Sequence, residues 1–181
     1  TAKKGLVRGC DKLKQNIKFM WETQGNNVIN QHTDSNLMAK LLKDPKLVEC
    51  FVVVDTQMTP TAKFADYLLP DVAGQENNDF SGDSYSVGGH CYLIAMEKAV
   101  NPQHSQMRNW DIMREMAKRF GVEEKYTEGK TYDQWLMELY EKTRKNVPEL
   151  PASYADFVRQ SIVKYKVKGD SGITMENFRK D

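Results

Sequence analysis

Cysteine is scarce in this chain: three among 181 residues, Cys10, Cys50 and Cys91, odd in number and widely spaced. That argues against a disulfide framework and against a Cys-x-x-Cys metal site. Cys50 and Cys91 lie in apolar runs and read as small buried hydrophobes. Histidine is as rare: His32, His90 and His104 fall at no zinc-ligand spacing. His90 and His104, alone in polar loops, read as solvated side chains. An excess of one charge is also missing. Lys plus Arg number 26 against 25 for Asp plus Glu, a net charge of +1, so no nucleic-acid footprint or membrane-surface patch is indicated. No apolar run approaches the roughly 20 residues that span a bilayer. The opening Thr1 to Lys18 is basic without the apolar centre of a signal peptide. A chain that begins at Thr1 reads as a piece excised from a longer protein, so a missing signal says little about where the parent resides. There is no Gly-x-Ser-x-Gly elbow, no phosphate loop ending in Gly-Lys-Ser/Thr, and no Gly-x-Gly-x-x-Gly after the first strand. No catalytic or metal-ligating residue is therefore expected in this segment.

What is present reads as one sizeable α/β domain with an appendage. Ile17–Thr23 is a β-rich run, followed by a loop, Gln24–Gln31. A helix starts at Thr33–Ser35, all good N-caps, with Leu37, Met38, Leu41 and Leu42 on its buried face. Val48–Asp55 holds the unbroken apolar run Phe51-Val52-Val53-Val54, the pattern of a strand covered on both faces and central to a parallel sheet. A helical turn at Thr59–Phe64 leads to a third strand, Asp66–Pro70. This alternation predicts a mostly parallel sheet flanked by helices, a Rossmann-like nucleotide-binding domain, with right-handed connections. Asp71–Gly89 reads as a long polar loop, poorly ordered in isolation, and Cys91–Met96 as a further strand. Phe64–Met96 carries no Lys or Arg but five acids, Asp66, Asp71, Glu76, Asp79 and Asp83. The rest reads as a helical C-terminal extension. Asn109–Phe120 should bury Ile112, Met113, Met116 and Phe120 before Gly121 stops it. Thr131–Asn146 has Thr131 and Gln134 at capping-box spacing and an apolar face of Trp135, Leu136, Leu139 and Tyr140. A third helix spans Ser153–Tyr165, and the tail from Lys166 reads as loosely ordered. The division is 1–125 for the α/β domain and 126–181 for the extension and tail.

In an open α/β sheet, ligands bind beyond the carboxyl ends of the strands. Those ends carry Gly25-Asn26-Asn27, Asp55-Thr56-Gln57, and Pro70-Asp71 leading to Glu76-Asn77. Asn and Gln offer both donors and acceptors. A carboxylate can accept two parallel hydrogen bonds from a guanine edge, so Asp55 has two readings. It reads guanine, or it caps the turn Thr56–Pro60, a common task for Asp. On the first reading its side chain projects from the strand end, and its removal should leave the fold largely intact.

The motifs carry a resemblance. Trp21-(3)-Gly25-Asn26-Asn27-(3)-Gln31-His32-Thr33-Asp34-Ser35-Asn36 is similar to the "G-N-…-H-x-D-x-N" loop of the dimethyl sulfoxide reductase family of molybdopterin oxidoreductases. Val54 to Pro70 resembles that family's "D-x-x-x-T-x-T-A-x-x-A-D-I-x-L-P" signature, through Asp55, Thr59, Thr61, Ala62, Ala65, Asp66, Leu69 and Pro70. Glu76 and Asn77-Asn78-Asp79 follow where the family has "E-x-x-D". These motifs run in order at the family's spacing over about residues 15 to 122. Gly121-Val122-Glu123 to Trp135 and Pro148-Glu149-Leu150-Pro151 resemble catalytic subunits of the family's anaerobic members.

The resemblance implies an internal third domain that binds the nucleotide half of one molybdopterin guanine dinucleotide, the molybdenum cofactor of the parent. By position, Asn27 (or Asn26, one residue away), Gln31, Asp55, Glu76, Asn77 and Asn109 fall at the family's cofactor-contacting places. Gln31 stands where a His can occur, Asn77 where an Arg can occur, and Asn109 where an Asp can occur; Asn77 thereby forfeits a charge beside the pyrophosphate. The molybdenum ligand and an iron–sulfur cluster belong to other regions of the parent, so the segment alone should be inert. The resemblance further implies a parent that reduces a sulfoxide or similar oxo-substrate in anaerobic respiration. Its partners would be the other domains of its own subunit, an iron–sulfur electron-transfer subunit and a membrane anchor, on the periplasmic or outer face. No nucleic-acid partner is expected. A scaffold domain of a large electron-transfer complex, without molybdenum, is the alternative.

Overall fold

The computed structural model describes residues 15, 17–31, 34–82, 92–166 and 175–180. Contacts group the chain into two compact units, 1–73 with 102–115, and 74–101 with 116–181. A C-terminal strand pairs with one from the middle of the chain within the second of these.

The first unit is built on a three-stranded parallel sheet in the order β1 (Phe19–Thr23), β2 (Cys50–Asp55), β3 (Tyr67–Pro70). β2 is central, as its continuous apolar run demands: Phe51, Val52, Val53 and Val54 are 1%, 6%, 1% and 0% exposed. Phe51 and Val53 share one face with Met20 and pack with Val28, Leu42, Val48, Ala62, Phe64 and Ala65. Burying each such side chain is worth about 1.5–3 kcal/mol, so β2 anchors the unit. The β-rich run after Cys50 leaves that cysteine itself only half-buried, at the strand's start. Cys10 and Cys91 lie outside the described residues.

Two helices follow β1: a short α1 (Asn27–Asn30), inside what reads as loop in the sequence, and α2 (Ser35–Leu42). Asp34 caps α2 by accepting the Leu37 N–H at 2.9 Å. The α2 apolar face is shallower than its spacing implies, with Leu37 half exposed and Met38, Leu41 and Leu42 half-buried. Asp66 begins β3 by exchanging bonds with β2. Its carboxylate accepts the Phe51 N–H at 2.8 Å, and its own N–H donates to the Phe51 carbonyl at 2.8 Å.

The second unit differs from the sequence reading in two places. The stretch expected as loop after Asp71 contains a 3-10 turn, Gly74–Glu76, and a strand, β4 (Asp79–Gly82). Phe80 explains the strand: its ring meets Tyr140 and Phe157 edge-on at 6.3 and 6.2 Å. Residues 83–89, the rest of that expected loop, lie outside the described residues, as do His32 and His90. The helix expected over Ser153–Tyr165 stops early. α6 (Tyr154–Gln160) ends at Ser161, with φ 64°, and β6 (Ile162–Lys164) follows because β-branched Val163 is buried at 3% exposure. β4, β5 (Tyr92–Met96) and β6 form an antiparallel sheet.

The helical part keeps two expected helices and adds a short one between them. α3 (Asn109–Arg119), α4 (Glu123–Thr127) and α5 (Tyr132–Asn146) follow, with the Thr131–Gln134 capping box formed at α5. The core of the second unit is Leu93, Tyr140, Leu150, Phe157 and Val163, with Tyr140 stacked on Phe157 at 5.0 Å. Phe120, expected on the apolar face of α3, lies one residue past the helix end and is 75% exposed; Leu139 is 44% exposed. The tail contains a short last helix, α7 (Glu176–Lys180). His104 is exposed, as a solvated histidine should be.

Candidate nucleotide site at the strand ends

A parallel sheet delivers its carboxyl ends to one edge. On β1 and β2 that edge is occupied by hydrogen-bonding side chains. Alternation puts Met20, Glu22, Phe51, Val53 and Asp55 on one face and Trp21, Thr23, Val52 and Val54 on the other.

The chain leaves β1 through Gln24, Gly25 and Asn26, all with positive φ (49°, 104° and 53°). Only glycine adopts the middle value without strain. A Cβ at Gly25 would lie 2.9 Å from Asn27 Nδ2. The excursion is pinned from three sides. Gln24 N–H donates to the Val54 carbonyl at 2.9 Å. The Asn27 N–H donates to Glu22 Oε1 at 2.5 Å. Asn26 Oδ1 accepts from the Thr61 N–H at 2.9 Å and from Thr61 Oγ1 at 2.7 Å. Thr61, wholly buried, also accepts the Ile29 N–H at 3.1 Å through Oγ1.

This separates the two adjacent asparagines. Asn26 spends its side-chain oxygen inside the protein as a clamp. Asn27 is exposed, and among the described residues its side chain makes only a 3.5 Å contact with the Gln24 carbonyl, which leaves room to meet a ligand. Gln31 is exposed at the end of α1.

Asp55 closes β2 at 9% exposure. Its Oδ1 accepts the Thr56 N–H at 2.7 Å and its Oδ2 accepts from Thr59 Oγ1 at 3.3 Å. The turn-capping contacts are thus made. A carboxylate has about four acceptor positions, so two bonds leave room for more. The side chain is buried and tied to the turn rather than simply projecting, so removing it disturbs the turn as well as any ligand.

Asn109, at the start of α3, donates its N–H to Asp71 Oδ1 at 3.1 Å, while its Oδ1 accepts from Thr23 Oγ1 at 3.4 Å. The first unit therefore gathers Asn26, Asn27, Asp55 and Asn109 around the carboxyl ends of β1 and β2. Glu76 and Asn77 belong to the second unit. Glu76 ends the 3-10 turn, and Asn77 Nδ2 donates to the Tyr132 hydroxyl at 3.0 Å.

Three residues of this edge have parts that sequence reasoning does not show. Thr61 reads there only as a motif position. Asp71, 5% exposed, accepts from Gln24 Nε2 at 2.6 Å, Val72 N–H at 2.8 Å and the Asn109 N–H. Its one sequence signal is its place directly after the strand-ending Pro70. Glu22, 8% exposed, keeps its Oε2 without any hydrogen-bond partner among the described residues. An acid beside aromatic Trp21 in a β-rich run was its signal.

The family signature also acquires a physical meaning. Thr59 holds Asp55 and accepts the Ala62 N–H, Thr61 holds Asn26, Ala62 is buried in the core, and Asp66 holds β2. Most of its positions build the strand-end turn rather than face outward.

Comparison with known proteins shows the family. The sequence profile of the family described as Molybdopterin oxidoreductase matches residues 1–119. The chain is 39% identical over 181 residues to dimethyl sulfoxide reductase DmsA of Escherichia coli (strain K12), covering 100% of this chain and 22% of that protein. It is 38% identical over 140 residues to the trimethylamine-N-oxide reductase of Haemophilus influenzae (strain ATCC 51907 / DSM 11121 / KW20 / Rd), covering 76% of this chain and 16% of that protein. The chain thus spans about a fifth of the length of such relatives. Among solved structures, acetylene hydratase from Pelobacter acetylenicus superposes with a TM-score of 0.61 at 20% identity, over 85% of this chain and 19% of that one, a likeness of fold. The chain belongs to the molybdopterin oxidoreductase family, and it matches one segment of relatives such as dimethyl sulfoxide reductase DmsA.

Proposed function

We propose that the first unit binds the guanine nucleotide end of a molybdopterin guanine dinucleotide, within a parent that reduces a sulfoxide, N-oxide or similar oxo-substrate. The observation that carries this reading is the placement of Asn27, Asp55 and Asn109, with a Glu22 oxygen that has no partner among the described residues, at the carboxyl ends of adjacent parallel strands. The residues fit a nucleotide: the edge is rich in acceptors for base and ribose donors. The left-handed Gln24–Asn26 excursion brings backbone close to the edge without a bulky side chain at Gly25.

When bound, the cofactor supplies the metal-centred redox chemistry. This chain's residues do the holding. Asp55 receives the paired N–H groups of the base. Asn27 and Asn109 take up polar groups of the ribose and phosphates. Asn26 and Thr61 keep the loop in shape. The parent's iron–sulfur cluster, electron-transfer subunit and membrane anchor belong to the same reading. No catalytic residue is assigned to this segment.

The turn bonds of Asp55 favour the second reading, a scaffold whose strand-end Asp caps a turn. Two substitutions in the full-length parent separate them. Asp55→Asn keeps an oxygen for the Thr56 N–H and an amide that can donate to Thr59 Oγ1, but turns an N–H against the base. Charge-assisted bonds are worth about 1.5–3 kcal/mol each, and about 1.4 kcal/mol is a factor of ten. Asp55→Asn should therefore lower pterin and molybdenum retention by at least about tenfold while leaving cofactor-free melting nearly unchanged. Full cofactor occupancy in Asp55→Asn, with melting lowered only in Asp55→Ala, would establish the turn cap instead.

A further inference from the structure

Glu22 Oε2 is a buried acceptor with nothing to accept. The residue is 8% exposed, and its other oxygen is committed to the Asn27 N–H at 2.5 Å. Oε2 itself has no partner among the described residues. Buried polar groups are nearly always hydrogen-bonded, and an exception asks for an explanation, of which a ligand donor is one. Among the described residues no group of three His, Cys, Asp or Glu could hold a metal ion, so a cation clamp does not supply it.

The position narrows the donor's chemistry. Glu22 lies opposite Val53 in the register, two residues short of Asp55 on the same sheet face. With strands about 4.8 Å apart and a rise of about 3.3 Å per residue, their Cα atoms are roughly 8 Å apart, the breadth of a nucleoside. A phosphate would be repelled by the carboxylate. A guanine edge offers two parallel N–H groups, which need two free acceptors. A single free oxygen suits a single hydroxyl, and acid–ribose pairing is a known solution in nucleotide-binding α/β sheets.

We infer that Glu22 is a specificity-determining residue of the nucleotide site, its Oε2 accepting a hydrogen bond from a ribose hydroxyl. This rests on the nucleotide-binding reading above. Oε2 has almost no solvent-accessible area, so a hydroxyl reaches it only with a local shift of the groups around it.

Glu22→Gln isolates the free oxygen. Its amide oxygen still accepts the Asn27 N–H, so the loop keeps its anchor, while an N–H2 replaces Oε2. The probes are GMP, 2′-deoxy-GMP and 3′-deoxy-GMP, titrated by calorimetry into cofactor-free full-length protein, wild type and variant. Glu22→Gln should bind GMP at least about tenfold more weakly with unchanged melting, the loss expected of a charge-assisted bond. One deoxy analogue should show the same loss on the wild type and no further loss on the variant. GMP affinity within about twofold of wild type in Glu22→Gln would overturn the inference while leaving the nucleotide site standing. So would equal losses for GMP and both deoxy analogues, which would place the donor elsewhere than on the ribose. A wild-type protein that binds none of the three would overturn both readings.

Discussion

Asp71 ties three parts of the strand-end edge together, and its removal has a calculable cost. Its Oδ1 accepts two backbone N–H groups, from Val72 at 2.8 Å and Asn109 at 3.1 Å, and its Oδ2 accepts Gln24 Nε2 at 2.6 Å. The carboxylate also stands at the N-terminus of α3, where negative charge is worth about 0.3–1 kcal/mol. Asp71→Ala leaves both backbone donors without an acceptor in a site 5% exposed. Each stranded donor costs about 1–3 kcal/mol, so the loss should be about 3 kcal/mol or more, allowing for water entering the space. That is a large share of the ~5–15 kcal/mol that holds a domain together. Asp71→Asn should behave differently. Its remaining oxygen keeps both backbone bonds, and the Gln24 amide can turn to present its own oxygen to the new N–H2, for a cost of about 1 kcal/mol. Denaturant unfolding gives the energies, and hydrogen exchange at 105–112 reports the Asn109 amide. Protection there should collapse in Asp71→Ala and persist in Asp71→Asn. Equal effects of the two substitutions, or losses below about 0.5 kcal/mol in both, would refute this accounting.

Two predictions concern the second unit. Tyr140→Phe keeps the stack on Phe157 but strands the Pro151 carbonyl, which the Tyr140 hydroxyl now meets at 2.7 Å. It should cost about 1 kcal/mol in denaturant unfolding, and an unchanged midpoint would contradict the bond. The Glu138 carboxyl is held down at about 2, against an ordinary 4.5, by hydrogen bonds from Lys130 and then Lys142. Because the folded value is depressed, the contribution to stability is present above about pH 4.5 and is lost as pH falls through about 2. A carbon-detected titration should place the Glu138 midpoint well below 4.5, rising on Lys130→Gln; a midpoint at 4.5 in the wild type would be contrary.

The parallel sheet was legible because Phe51–Val54 is apolar at every position, which only burial on both faces accounts for. The Thr131–Gln134 capping box was legible because its partners lie three residues apart. β4 and β6 were not. They are short, and their pairing with β5 is set by contacts distant in sequence, such as Phe80 on Tyr140 and Val163 opposite Leu93. Local pattern cannot weigh such contacts. At the site, motif spacing marked Asn26, Asn27 and Asp55 but could not separate clamp from contact. That distinction lies in Thr61, 35 residues from Asn26, which takes up one asparagine's oxygen. Glu22 escaped because a lone acid in a strand carries no motif, and Asp71 was marked only by its place at a strand end.

The central claim is that this strand-end edge holds a guanine nucleotide. Its most direct test is the nucleotide released by acid hydrolysis from the purified full-length protein, identified and quantified by chromatography. The account predicts GMP in amounts comparable to the pterin for wild type, and its loss by about tenfold or more in Asp55→Asn. Pterin without GMP, or GMP retained undiminished in Asp55→Asn, would contradict it.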